Sequence, residues 1–364
     1  MKENIMILVV MPIMLCSMLL LNSCRGGGSS NSNGNSNAQI TSFNFTSPSS
    51  TGSIDTNNHA VLLIVDDGTI VTNLTPTIQI SAGATINPPS GVSENFTNPV
   101  VYKVTAQDGV TQNYIVAVVE ISPNQSIILN DDFTGTVVDY INWHIPTWEF
   151  NGDGTYYGQT QIRCTQNSPN PTVNNFNAII ALDTYNPTGE SFYGTDLISN
   201  QVFSLEQGII VTVRAKLDAP IPDGIVGGIF LYSPPDINGL HDEIDFELLS
   251  NSTGTILTNI YGNEPLGIGN PIYSSYPSGL NTDYHTYQIQ WLSNQVSWYI
   301  DGNLIRSVTT QSPIPSGPMY LHLNMWVPDS SFPEAYSPNL NYTINPIDVQ
   351  TFSMSVDSVT VISY

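Results

Sequence analysis

From residue 40 onward the chain runs in short stretches whose apolar and polar positions alternate, broken by Gly, Asn, Asp, Ser or Pro. SFNF, AVLLIVDDG, TIQI, VVYKVTAQDG and NYIVAVVEI fill the first part. GIIVTVRAKL, GIVGGIFLY, DEIDFELL, TYQIQWL, QVSWYIDGNLIRSV, MYLHLNMW and FSMSVDSVTVIS follow in the second. No convincing amphipathic helix and no heptads interrupt the second part. In SWYIDGNLIRS the alternation passes through Asp301-Gly302, the signature of a two-residue hairpin turn. The pattern predicts an all-β protein.

Composition points the same way. Only 10% of residues are charged, and the Glu/Lys/Leu/Ala excess that helices need is missing. A length of 364 residues is long for one domain at ~100–200 residues each, which predicts two. The stretch SPNQS at 122–126 reads as the linker between a small Ig-like β-sandwich over 39–121 and a larger block over 127–364. So many strands in the larger block predict a two-sheet, concanavalin-like β-jelly-roll. Leu74-Thr75-Pro76 and VYKVTAQDGVTQNYIV resemble Ig-like domains that sit between lipid anchor and enzyme in bacterial surface lipoproteins, which suggests a spacer or weak binding module.

Residues 1–24 carry Lys2, an apolar run of signal-peptide length, and the ending Leu21-Asn22-Ser23-Cys24. That ending resembles the bacterial lipobox and implies a lipid on Cys24, followed by a flexible Gly/Ser/Asn tether over 25–38. The expectation is an exported protein held on a bacterial outer membrane or cell surface. Cys16 would leave with the signal, so Cys164 alone remains and no disulfide framework can form.

The net charge of −23 rests on seven scattered basic residues, which excludes a nucleic-acid partner. A sulfated polyanion is a poor fit for the same reason. A polysaccharide partner would be neutral.

HDEIDFELL, at 241–249, is the densest chemistry. The chain holds 30 acidic residues in 364, so a six-residue stretch would average about 0.5, yet Asp242, Glu243, Asp245 and Glu247 fall within six positions. In a strand, Glu243, Asp245 and Glu247 share one face while Ile244, Phe246 and Leu248 share the other. The apolar face belongs in a core, so the acids line an open face. Like charges brought together and partly buried raise at least one pKa, which is how one acid stays protonated while another acts as a nucleophile. A calcium site or an ordinary solvated face are the bland alternatives.

At these residues the sequence resembles glycoside hydrolase family 16. The Glu-x-Asp-x-Glu strand, GIVGGIFLY before it, LTNIYGN after it, and YHTYQIQW, VSWYIDGNLIRS and LHLNMW come in the family's order. The resemblance implies retaining hydrolysis of a β-1,3-1,4- or β-1,3-glucan, with Glu243 as nucleophile, Glu247 as general acid/base and Asp245 tuning the nucleophile. It also implies substrate contacts from Trp326, from Asn259, Tyr261 and Asn263 on one face of the next strand, and from Asp196. Ile198 stands where the lichenase pattern has an arginine. Trp143, Trp291 and Trp298 read as packing residues. His285 reads as a hydrogen-bonded structural residue, and His241 stands behind the acids as a candidate. No cofactor is expected. Asp357 falls where many family members place a structural calcium ligand, but reads here as a polar surface residue. A transglycosylase, or a carbohydrate-binding surface lipoprotein without catalysis, are the alternative functions.

Overall fold

The computed structural model describes residues 37–56, 59–146, 156–162, 171–185, 192–252, 254–265, 267, 269–276, 283–309 and 313–364. The expected signal, Cys24 and most of the tether lie outside the described residues, as does Cys164. Each alternating run named above forms a strand, and among the described residues the only helices are the 3-10 turns Val71–Asn73 and Leu205–Gln207.

The N-terminal part pairs Ser49–Thr51, Ile40–Thr46 and Pro76–Ile80 in one sheet. Ser53–Asp55, Ala60–Asp66, Thr111–Ile121, Val100–Thr105 and Thr85–Asn87 form a second. Inward residues of both sheets make one core, in which the rings of Phe43 and Tyr102 meet edge to face at 5.1 Å.

The larger part stacks two sheets over a second core. One sheet has seven antiparallel strands in the order Trp143–His144, Asp196–Phe203, Met319–Trp326, Val226–Tyr232, Leu240–Leu249, Thr255–Pro265 and Ile272–Ser275. The other is longer, with Thr351–Ser363, Ile209–Leu217, His285–Leu292, Gln295–Ile300 and Asn303–Thr309 as consecutive neighbours.

Trp291 and Trp298 are fully buried between the sheets, as expected. Trp143 is buried too, and its Nε1–H donates to Asp131 Oδ2 at 2.8 Å. The predicted hairpin turn is present: Asp301 and Gly302 have φ of 50° and 76°, and Ile300 pairs with Asn303. Two left-handed residues are what a tight turn needs to match the twist of its strands. Asp301 also accepts from the Thr286 N–H and pairs with His285 Nδ1 at 2.7 Å, which accounts for His285 structurally. Asp357 pairs with Arg214 at 3.0 Å.

Candidate active site

The strand Leu240–Leu249 lies near the middle of the seven-stranded sheet, and its two faces differ as the alternation requires. Ile244, Phe246 and Leu248 are fully buried in the core. Glu243 and Glu247 are half-buried on the opposite face, with Asp245 between them at 3% exposure.

Directly paired residues share a face, so the register assembles the site in three adjacent rows. The first runs Tyr320, Tyr232, Glu243, Tyr261. The second runs Ile198, His322, Phe230, Asp245, Asn259, and the third Asp196, Asn324, Gly228, Glu247, Leu257. Each carboxylate of the motif therefore sits in its own row, with a different set of neighbours. Gly228 has a steric reason: a Cβ there would lie 2.4 Å from Asn324 Oδ1. Only glycine keeps the third row open between Asn324 and Glu247.

Asp242 belongs to the other parity and does other work. It accepts the backbone N–H groups of Asn263, Ser316 and Gly317, which ties the start of the strand to two neighbouring segments.

The core supports the acids from behind. Trp298, on the opposite sheet, donates its Nε1–H to the carbonyl oxygen of Asp245 at 3.0 Å. Arg306 lies over the Trp298 ring at 4.6 Å, and its guanidinium donates to the carbonyls of Thr258 and Asn270 at 2.8 and 2.7 Å. The charge of Arg306 is held between the sheets, behind Asp245.

Burial, then the charges of Glu247 and Glu243, push the Asp245 carboxyl well above the usual range. Burial and the charge of Glu243 push Glu247 up to about 8. At neutral pH Glu247 therefore keeps its proton, the state a general acid needs.

The expected substrate contacts divide. Asp196 occupies the third row, buried at 2%, with one oxygen bonded to His322 Nδ1 at 2.8 Å. The other Asp196 oxygen, together with Asp245 Oδ1 and Asn324 Oδ1, is a buried acceptor without a hydrogen-bond partner among the described residues. Trp326 is half-buried on the same face and stacks on Phe332 with ring centres 6.1 Å apart. Tyr261 and Asn259 flank the acids, half-buried, with the backbone at Gly269 close against both.

Asn263 does not continue that face. The pairing shifts from Asp242–Gly262 to His241–Glu264, which leaves Asn263 as the extra residue of a β-bulge, exposed and at φ 56°. Alternation fails wherever a bulge adds a residue.

The register also brings in residues that alternation alone does not single out. Tyr232, Phe230, Asn324 and His322 alternate in GIVGGIFLY and MYLHLNMW, so their parity was available from the sequence. Their alignment with the acids was not, because it depends on which strands pair.

Residues 138–344, more than half of the chain, match the family model described as "Glycosyl hydrolases family 16". The chain belongs to glycosyl hydrolase family 16. Residues 40–118 match a second model, "SGBP, N-terminal". The β-glucanase of Bacillus licheniformis is 38% identical over 105 residues, covering 28% of this chain and 41% of that protein. The "Probable xyloglucan endotransglucosylase/hydrolase protein 28" of Arabidopsis thaliana is 28% identical over 201 residues, covering 53% of this chain and 56% of that one. The chain spans less than half the length of the bacterial glucanases it matches. Among solved structures, the catalytic domain of an endo-1,3-β-glucanase (laminarinase) from Thermotoga petrophila RKU-1 superposes with a TM-score of 0.53 at 19% identity, over 65% of this chain and 97% of that one. The two-sheet sandwich is thus the family 16 jelly roll.

Among the described residues no three His, Cys, Asp or Glu side chains converge as a metal site. Asp357 Oδ2 lies 3.0 Å from the Arg214 guanidinium.

Proposed function

We propose that this family 16 member is a retaining endo-β-glycosidase acting on a neutral β-glucan, of β-1,3-1,4 or β-1,3 linkage. The observation that carries the reading is geometric: Glu243, Asp245 and Glu247 stand in three adjacent rows on one face of the sheet, away from the core, and burial with the charge of Glu243 raises the Glu247 carboxyl. In this mechanism Glu247 protonates the departing glycosidic oxygen while Glu243 attacks the anomeric carbon and forms a glycosyl ester. Water, deprotonated by Glu247, then attacks the same carbon and releases Glu243. The unpaired acceptors on Asp196 and Asn324, beside Glu247, suit sugar hydroxyls, and Trp326 offers an apolar face to a sugar ring.

A second reading is transglycosylation, in which a sugar hydroxyl replaces water in the second step. The length of the match to the Arabidopsis protein favours keeping it in view. Ile198, apolar beside His322 in the Asp245 row, also argues against strict mixed-linkage specificity.

The match of residues 40–118 to the "SGBP, N-terminal" model supports reading 39–121 as a module that accompanies the catalytic block over 127–364. With a lipid on Cys24, the pair would stand on a bacterial surface. Fatty-acid labelling that is lost in Cys24→Ala tests that placement.

The catalytic reading is tested by reducing-sugar release from lichenan, laminarin and xyloglucan, using wild type and Glu243→Gln. Release from one glucan that disappears in the variant is expected. Retardation in a glucan affinity gel with no release would instead make the protein a binder.

A further inference from the structure

His241 is completely buried as a side chain, and both ring nitrogens have partners. Nδ1 lies 2.8 Å from the backbone carbonyl oxygen of Glu264. A carbonyl oxygen only accepts, so Nδ1 carries a hydrogen. Nε2 lies 3.1 Å from Glu243 Oε2. A neutral ring with its hydrogen on Nδ1 would set the Nε2 lone pair against a carboxylate lone pair, so this contact requires one more proton.

We propose that the second proton belongs to the ring: His241 stands as an imidazolium whose Nε2–H holds Glu243 Oε2, positioning Oε1 as the attacking oxygen. The proposal rests on the reading of Glu243 as nucleophile.

The surroundings suit a cation. The ring of Tyr261 is 4.5 Å from the imidazole and that of Tyr232 is 5.6 Å away, one on each neighbouring strand. Both phenols stay neutral, pushed up to about 12 by burial first and by the charge of Glu243 second. Beyond Tyr232 comes His322, already bonded to Asp196. Asp242 is held by three backbone N–H groups, and Asp236, lining the same cavity as His241, accepts from Asn238 and Leu240. Glu243 is thus the carboxylate that His241 contacts.

The consequence differs between the two chemical steps. In the first, Oε1 bonds to the anomeric carbon, the glycosidic C–O bond breaks and the departing oxygen takes the proton of Glu247. The Nε2–H then faces the neutral carbonyl of an ester, having lost a charged partner. In the second, water bonds to the anomeric carbon and gives its proton to Glu247, while the Oε1–carbon bond breaks and Glu243 regains its negative charge. The same Nε2–H now stabilises the departing carboxylate. The donor therefore favours release of the intermediate over its formation.

His241→Gln in the full-length chain, assayed on an aryl β-glycoside with a good leaving group, is expected to lower kcat by about 10- to 100-fold, the range of a charge-assisted hydrogen bond. KM should fall alongside, and a covalent glycosyl-enzyme should accumulate by intact mass. Equal losses in kcat and kcat/KM without the adduct would overturn the positioning role. A second measurement is independent of activity. The chain has five histidines, and ¹⁵N NMR at neutral pH, with the His241 signals assigned by their loss in His241→Gln, should show both ring nitrogens protonated. In Glu243→Gln the ring should become neutral, with hydrogen on Nδ1 alone, and that change identifies the ring even where His241→Gln does not fold. An unprotonated Nε2 in wild type would place the proton on Glu243 and overturn the proposal. Failure of the nucleophile reading is seen separately, as reducing-sugar release that survives in Glu243→Gln.

Discussion

The Nε1–H of Trp298 donates across the sandwich to the carbonyl oxygen of Asp245, 3.0 Å away. A core residue of one sheet is thereby fastened to the middle of the acidic strand of the other. Trp298→Phe keeps an aromatic ring for Arg306 but removes the donor. Chemical unfolding should show a loss of about 1 kcal/mol, with reduced kcat/KM as Asp245 loses its fixed height.

Arg306 should be less forgiving. Arg306→Met leaves the carbonyls of Thr258 and Asn270 without their donor and removes the cation from the Trp298 ring. A loss of about 2–4 kcal/mol is expected, measured as a lower Tm. Arg306→Lys should not restore it, because an ammonium cannot serve two diverging carbonyls and stack on the ring.

Glu247 sets a pH limit. With its carboxyl raised to about 8 from an ordinary 4.5, the proposed general acid loses its proton above that pH, and kcat/KM should fall tenfold per unit there. The sign for stability follows from proton uptake. Below pH 4.5 both folded and unfolded chains hold this proton, and between 4.5 and about 8 only the folded chain does, so stability declines as pH rises through that window. Urea midpoints across the window should decline less in Glu247→Gln than in wild type.

Gly228→Ala probes the open third row. Its Cβ must displace Asn324 Oδ1, 2.4 Å away, and Phe230 ring atoms at 3.2 Å. Overpacking of this kind costs about 1–3 kcal/mol. The expected signature is a folded protein whose kcat/KM in the proposed glucan hydrolysis falls more than its Tm suggests.

Much of this was legible in the sequence because strand parity is a local property. HDEIDFELL shows which side chains share a face, and Asp301-Gly302 shows where a hairpin turns. What local pattern cannot show is who stands across the sheet. Asp196 and Asn324 meet through a pairing that spans much of the chain, so the row they form with Gly228 and Glu247 depends on topology. Arg306 could not be read as support for Asp245 because the carbonyls it serves come from elsewhere in the fold. Asn263 leaves the predicted face because a bulge breaks strict alternation there, a break that Gly262-Asn263 hints at, since Asn tolerates positive φ. His241 looked secondary for a related reason: the carbonyl that fixes its tautomer belongs to Glu264, brought opposite by that same bulge.

The two-faced strand has a further consequence for folding. Side chains in a strand repeat every two residues, so a pairing error of one position would drive Glu243, Asp245 and Glu247 into the apolar core and expose Ile244, Phe246 and Leu248. Three buried carboxylates could not be tolerated there without partners. The charges proposed for catalysis thus also guard the register of the sheet, disfavouring a slipped pairing before any substrate is met.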